Sequence, residues 1–514
     1  IMNKSSVDGA SKAAFAVALV LTVIAQAADD SLVTLLLAPV IYLILVFVMS
    51  RVPIRLSMLG LMFAALTLQD AADSSAAKFI PPFAGVGAVL FTHLNAVDRQ
   101  VVPGWVSFSG VDFLLIALLL IALARRSGKS KLDKVGNFPV PRPLTRFAYL
   151  SLGSTAWVWL LGLARGGDFG MSLWQLNRVM YLPVLFLLFS LGLRGPKDLG
   201  ALLKVILVAA IYKALLCFYI VMTVTMPPDP LTGSTHPAWA TSHQDSILFA
   251  TAFVSVLAVL LERAVPRKQI KWYALLLPIL GAGTWANNRR MAWVQVLMVF
   301  VTVYLISNPN NPVKRKITRA MYIALPVLAV YLAIGWGSDS KIFKPVHMLR
   351  SVVEPSTDGS TLWRELENFD IIMTFRTSPI FGTGYGHPYL EIVQLPAVDY
   401  SLERYAPHNS ILGLWAFCGY VGYATLTLLW AVGVYFALRT YRSSKEPSYR
   451  AASLVSFGTV LVFLIQCWGD LGLGSWIGVF SMAPALATAG KLAVASGQWP
   501  ALKPAPAPAA VAAK

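Results

Sequence analysis

The chain has 514 residues, 57% of them hydrophobic and only 13% charged, with a formal net charge of +18. A soluble domain carries about 25% charged residues, so a soluble globular enzyme is excluded. Nucleic-acid binding is not implied either, because Lys and Arg fall in short loops between apolar runs, the pattern of cytoplasmic loops in a membrane protein.

Apolar runs approach the roughly 17–25 residues that a bilayer demands. They predict an all-α polytopic membrane protein with about 12–14 transmembrane helices. Fourteen runs are found, near residues 12–28, 31–49, 55–72, 105–124, 145–164, 173–193, 200–224, 245–262, 271–287, 291–308, 319–336, 409–438, 451–469 and 476–492. At the first, Lys4 and Lys12 precede the apolar stretch Ala13 to Ile24, and Ala25-Gln26-Ala27 follows it, which resembles a signal peptide with a small-residue cleavage site. The many spans after it favour an uncleaved first helix. Between residues 73 and 104, the run Ile80 to Leu94 is short and carries Pro81, Pro82, Gly85 and Gly87. It reads as a re-entrant or interfacial segment on the outside; were it to span, the count would change and the first three helices would flip. Asp112, inside the fourth run, is either a buried functional acid or a hydrogen-bonded structural group.

Every second loop is basic. Arg51 and Arg55 are followed by Arg125 to Arg142, by Arg194, Lys197 and Lys204, by Arg263, Arg267 and Lys268, by Lys314 to Arg319, and by Arg439, Arg442 and Lys445. The positive-inside rule then puts both termini in the cytoplasm. Cys217, Cys418 and Cys467 each lie in apolar runs without metal-site spacing, so neither a disulfide framework nor a metal is expected. The chain divides into N-terminal membrane helices (1–104), a membrane core (105–336), an outside loop (337–408), C-terminal membrane helices (409–492) and a Pro/Ala-rich tail (493–514). The tail is expected to be disordered.

The outside loop holds nine of the 24 acids. Inside it, Thr361 to Phe375 reads as an amphipathic helix whose apolar stripe is Leu362, Leu366, Phe369 and Met373. Arg364 lies off that stripe. Pro379 to Pro388 follows, with Gly382, Gly384 and Gly386 permitting tight turns and close backbone approach to a ligand. The loop closes at Pro407-His408-Asn409, where the twelfth run begins. Histidine exchanges protons near neutral pH without special tuning. Arg289 and Arg290 join two earlier runs with almost no loop between them, and Arg178 lies near the outer start of another. Each arginine either snorkels at the interface or offers a planar fork to a phosphate. Arg178, Arg289, Arg290, Arg364 and His408 all fall on one predicted side.

These motifs resemble the O-antigen ligase and polymerase superfamily over roughly residues 240–440. Arg290-Met291-Ala292-Trp293 is similar to its Ser-Arg-x-Ala segment, with Arg289 in the serine position. Arg364, then Pro379 and Phe381-Gly382-Thr383-Gly384, are similar to its Arg…Pro-x-x-Gly-x-Gly segment. His408-Asn409-Ser410-Ile411-Leu412 with Gly419 and Gly422 is similar to its His-Asn-x-x-Leu…Gly-x-x-Gly signature.

The resemblance implies a GT-C-like helical bundle in the bacterial inner membrane, with its active site at the periplasmic face. It also implies an inverting, metal-independent glycosyltransferase without a cofactor. The donor would be a glycan on undecaprenyl diphosphate, and the acceptor lipid A–core or a second lipid-linked glycan. Ligation is the leading expectation and polymerisation its rival. His408 would be the base, Glu403 would tune it, and Arg178, Arg289, Arg290 and Arg364 would bind diphosphate. Gly382, Gly384 and Asn409 would position the loop. A lipid-glycan transporter is a third possibility. It would call for midplane ionisable residues and paired broken helices, and the sequence offers mainly Asp112.

Overall fold

The computed structural model describes residues 8–28, 30–68, 84–97, 101–103, 106, 108–127, 133, 137–225, 235, 239–338, 340–343, 346–347, 349–350, 359–395 and 403–499. The side chains of Arg178 and Glu403 lie outside the described set, as do residues 69–83 and the tail from 500. The protein is an all-α polytopic membrane protein; among the described residues no strand forms.

A helix stands at each of the fourteen apolar runs. The first part holds α1 (Gly9–Ala28), α2 (Ser31–Arg51), α3 (Ile54–Leu68), the short α4 (Ala84–Phe91) and α5 (Leu94–Val97), and α6 (Gly110–Ser127). Then come α7 (Arg142–Ala164), α8 (Phe169–Gly192), α9 (Leu199–Thr223), α10 (Asp245–Glu262), α11 (Arg267–Asn287), α12 (Arg290–Ile306) and α13 (Pro312–Gly335). After them lie α14 (Gly359–Thr377), α15 (Ser410–Ser443), α16 (Pro447–Gly469) and α17 (Trp476–Ala495).

Among the described residues, ten of the fourteen helices at the apolar runs are long and apolar enough to cross a membrane. Of the other four, α3 and α12 are apolar but shorter. Of the remaining two, α6 carries Asp112, Arg125 and Arg126, and α11 is less apolar, opening on Arg267, Lys268 and Lys271 and ending on Asn287. The segment in doubt between α3 and α6 forms only the eight-residue α4 and four-residue α5 where it is described. That is far short of a span.

Helix starts follow side-chain capping rules. Asp168 accepts from the Met171 N–H at the start of α8, Asn409 from Leu412 in α15, and Ser475 from Gly478 in α17. Each satisfies a backbone donor that the first helical turn leaves open. Ion pairs tie the basic-loop end together: Arg55 and Arg194 on the buried Asp198, Arg125 on Asp133, and Arg450 on Glu262. Asp112 is structural. It accepts from the Ser109 N–H and hydroxyl and from the Tyr181 hydroxyl.

The core sits around α10, α16 and α17. The apolar stretch of α17 is wholly buried, against α8, α15 and α16, whereas none of that of α13 is. At the end of the bundle opposite the basic loops, α14 packs on α15, and residues at or beside the ends of α10, α11, α12 and α16 gather around the same space.

Candidate active site at the loop end of the bundle

A cavity of about 880 Å³ opens where these ends meet. Its lining includes Trp239, His243, Arg289, Arg290, Arg364, Glu365, Asn409, Trp468 and Asp470. Two separate stretches therefore deliver three arginines to one space.

The first stretch is the turn between α11 and α12. Asn287, fully buried, accepts from both the backbone N–H and the hydroxyl of Thr241. Asn288 takes the left-handed conformation (φ 54°) that ends α11. Asparagine tolerates this conformation better than most residues. The chain reverses there, so Arg289 becomes the residue before α12 and Arg290 its first. Arg289 is 6% exposed. Its guanidinium lies over the Trp239 ring, 4.5 Å from the centroid, and bonds the Thr241 carbonyl and the His243 ring. Arg290 is half-buried on the same wall. The N-terminus of α12 opens on the cavity with them, and open N–H groups there favour an anion.

The second stretch is α14. Its predicted apolar stripe is not its buried face: Leu362 and Phe369 are exposed, while Glu367, Asp370, Ile371 and Thr374 are fully buried. The polar residues recur at i, i+3 and i+7, so they share one side of the helix. Each holds a neighbouring backbone. Asp370 accepts from Ile392 and Val393, Thr374 from Leu390, and Glu367 from the His408 N–H. Burial of a carboxylate is costly unless such donors meet it.

Glu367 also meets His408 Nδ1, at 3.3 Å. A carboxylate only accepts, so Nδ1 carries the proton in a neutral imidazole and Nε2 presents its lone pair. The Trp363 ring packs edge-on against His408 at 4.9 Å between centroids. The His408 side chain keeps 26% exposure, enough for a substrate hydroxyl to reach it. His408 is not itself in the cavity lining, but its neighbour Asn409 is. On α14, Trp363 and Glu367 face His408 while Arg364 between them faces the cavity.

The glycine segment has a different part. Helix α15 breaks at Gly419 (φ 60°, ψ −171°), which frees backbone groups on both sides. The loop 379–384 takes them up: Thr383 and Gly384 donate to Ala416 and Phe417, and Tyr420 and Val421 donate to Pro379 and Ile380. A Cβ at Gly419 would lie 2.3 Å from the Gly382 nitrogen, and one at Gly384 2.4 Å from the Gly162 Cα. The close approach permitted by Gly382 and Gly384 is thus to backbone of α15 and α7. Beside them Tyr385 is buried and contacts Cys418. Burial pushes its hydroxyl well above the usual tyrosine range, so it stays neutral.

The structure thus gathers Arg289, Arg290, Arg364 and Asn409 around one space and puts His408 beside it. Asn409 acts there as the cap of α15. Arg178 and Glu403 have described backbone only. Sequence reading missed Glu367, which orients the His408 ring, and missed His243, Asp470 and Trp239 as cavity residues. The polar i, i+3, i+7 stripe of α14 was the available signal for Glu367.

Residues 274–427 match the family model Wzy_C, described as O-antigen ligase. This segment belongs to the O-antigen ligase and polymerase superfamily. It contains the α11–α12 turn, α14, the glycine loop and His408, and so most of both cavity walls. The match supports an enzyme of ligase or polymerase type, a multi-pass membrane transferase of lipopolysaccharide biosynthesis. No curated protein matches the chain.

Proposed function

With an O-antigen ligase domain across residues 274–427 as the premise, we propose that the protein transfers a glycan from undecaprenyl diphosphate to an acceptor hydroxyl, most readily on lipid A–core. The observation that carries this reading is the meeting of Arg289, Arg290 and Arg364 in one cavity, beside a histidine whose Nδ1 is held by a buried carboxylate. Arginine suits a diphosphate because its fork donates two parallel hydrogen bonds while keeping its charge.

In the proposed step, the acceptor oxygen attacks the anomeric carbon as its proton passes to His408 Nε2. The bond from that carbon to the phosphate oxygen breaks, and the electron pair leaves with the lipid diphosphate. One displacement inverts the anomeric configuration. Charge grows on the leaving phosphate, and fixed arginines aimed there stabilise the transition state more than the ground state. With arginines supplying this charge, no resident metal or cofactor is required. The basic loops at the opposite end favour placing the cavity at the periplasmic face of the inner membrane, with both termini cytoplasmic.

Purified protein, a glycan on undecaprenyl diphosphate, and either lipid A–core or a second lipid-linked glycan test the reading. Transfer is expected to proceed in EDTA, to prefer lipid A–core, and to be lost in His408→Ala. Preference for the second lipid-linked glycan would make the protein a polymerase of the same chemistry. Wild-type transfer by His408→Ala would remove the proposed base, and restoration by a divalent ion after EDTA would overturn the metal-free step.

A further inference from the structure

His243 and Asp470 also line the cavity, and both lie outside the segment that the family model matches. His243 precedes α10 and Asp470 directly follows α16, so 227 residues of sequence separate two side chains that touch. His243 Nδ1 is 3.1 Å from an Asp470 carboxylate oxygen, and its Nε2 is 2.8 Å from Arg289 Nη1. We infer that this pair positions Arg289 for the donor's diphosphate; the inference rests on the glycosyl-transfer reading above.

The hydrogen-bond chemistry fixes the order of the relay. A guanidinium has donors only, so Nε2 must be the acceptor. The ring proton then sits on Nδ1 and is donated to Asp470. The imidazole is neutral in this arrangement, because protonating it would set two cations against each other. The other Asp470 oxygen is held by the Leu471 N–H at 2.8 Å, so the far end of the relay is anchored in backbone.

The imidazole between arginine and carboxylate has a specific consequence. A carboxylate bonded directly to Arg289 would neutralise the charge that a diphosphate needs. A neutral imidazole fixes the guanidinium while leaving that charge available, and the Trp239 face and Thr241 carbonyl complete the seat. The Nε2 lone pair is taken by Arg289, so His243 is a positioning residue and the base remains His408.

Binding of undecaprenyl diphosphate to the full-length protein in detergent tests this. His243→Ala is expected to weaken binding roughly tenfold, the scale of a lost hydrogen bond to a charged group. His243→Gln, whose amide can accept from Arg289 and donate to Asp470, is expected to recover most of it. His243→Asn, too short to span both partners, should behave like the alanine variant and serves if that one fails to fold. In an Arg289→Ala background, either short variant should cause no additional loss, because the effect passes through Arg289. Independent, additive losses overturn the inference, as does a His243→Gln protein that binds normally yet transfers no better than His243→Ala, which would make His243 a proton carrier. Unweakened binding in His243→Ala while Arg289→Ala is weakened sinks this inference alone. Unweakened binding in Arg289→Ala sinks the diphosphate reading with it.

Discussion

The two walls of the cavity reach the same result by opposite means. The α11–α12 wall is local: two asparagines and two arginines in succession make a reversal so tight that each residue's job follows from its place in the turn. The α14 wall is non-local: a helix buries its polar side, and Glu367 reaches His408 across 41 residues of sequence. A tight turn brings the arginines to the cavity, and Trp239, Thr241 and His243 then hold the Arg289 guanidinium in place. Orienting a base requires a second element, and here a helix that buries Glu367 supplies it.

Breaking the α14 wall should cost most. In Glu367→Leu the His408 ring loses its orienting acceptor and a buried N–H loses its partner. Turnover is expected to fall by about 10²–10⁴, the range for general-base catalysis, with stability reduced by about 1–3 kcal/mol. Single-turnover transfer and thermal unfolding would show both; an active Glu367→Leu protein would separate α14 from the base. Next come Arg290→Ala and Arg364→Ala, each expected to lower turnover about 10²-fold, as for loss of one fixed donor to a developing anion. Comparable losses from opposite walls would show that both face the same phosphate group, and a loss from only one would assign the cavity to that wall.

A stability test comes third. Gly384 has φ 90°, and a Cβ there meets the Gly162 backbone. Gly384→Ala should destabilise the protein by about 1–3 kcal/mol, measured by thermal unfolding. On the α11–α12 wall, Asn288→Val should cost about 1–2 kcal/mol for its left-handed backbone, while Asn288→Gly should be nearly neutral. The smallest effect is expected on the outer side of α14. Phe369→Ser should change stability in detergent by no more than about 0.5 kcal/mol, because the ring is already exposed.

Much of the architecture was legible because bilayer thickness imposes a length on every apolar run, and a helix stands at each of them. The arrangement of those helices was not. The runs of α13 and α17 have mean hydropathies of 1.8 and 1.5, yet the more apolar one is unburied and the other wholly buried. Lipid is as apolar as a protein core, so hydropathy does not tell the two apart. Small residues do: α17 is rich in glycine, alanine and serine, which let neighbouring backbones close in. In the site, the arginines were legible because residue type and a minimal turn already point to an anion. Glu367, His243 and Asp470 were not, because their roles exist only as pairs between distant segments. The glycine loop was legible as a place of close approach but not in its partner: a ligand was expected, and the loop instead meets a broken helix, whose unsatisfied backbone leaves no local mark in sequence.

That break sets a height. At 1.5 Å per residue, the 34 residues of Ser410–Ser443 would measure about 51 Å, well beyond a hydrocarbon layer of about 30 Å. The part after Gly419 covers about 36 Å and fills the layer by itself. If Tyr420, 60% exposed, marks the water boundary as interfacial tyrosines do, the first nine residues of α15 form a pedestal. His408 then stands no more than about 14 Å above the oily layer, the full length of that piece. On the reading proposed here, an isoprenoid anchor stays in lipid while its sugar is lifted to the base in water, and the length of that pedestal selects how far from its anchor a glycan can be cut and joined.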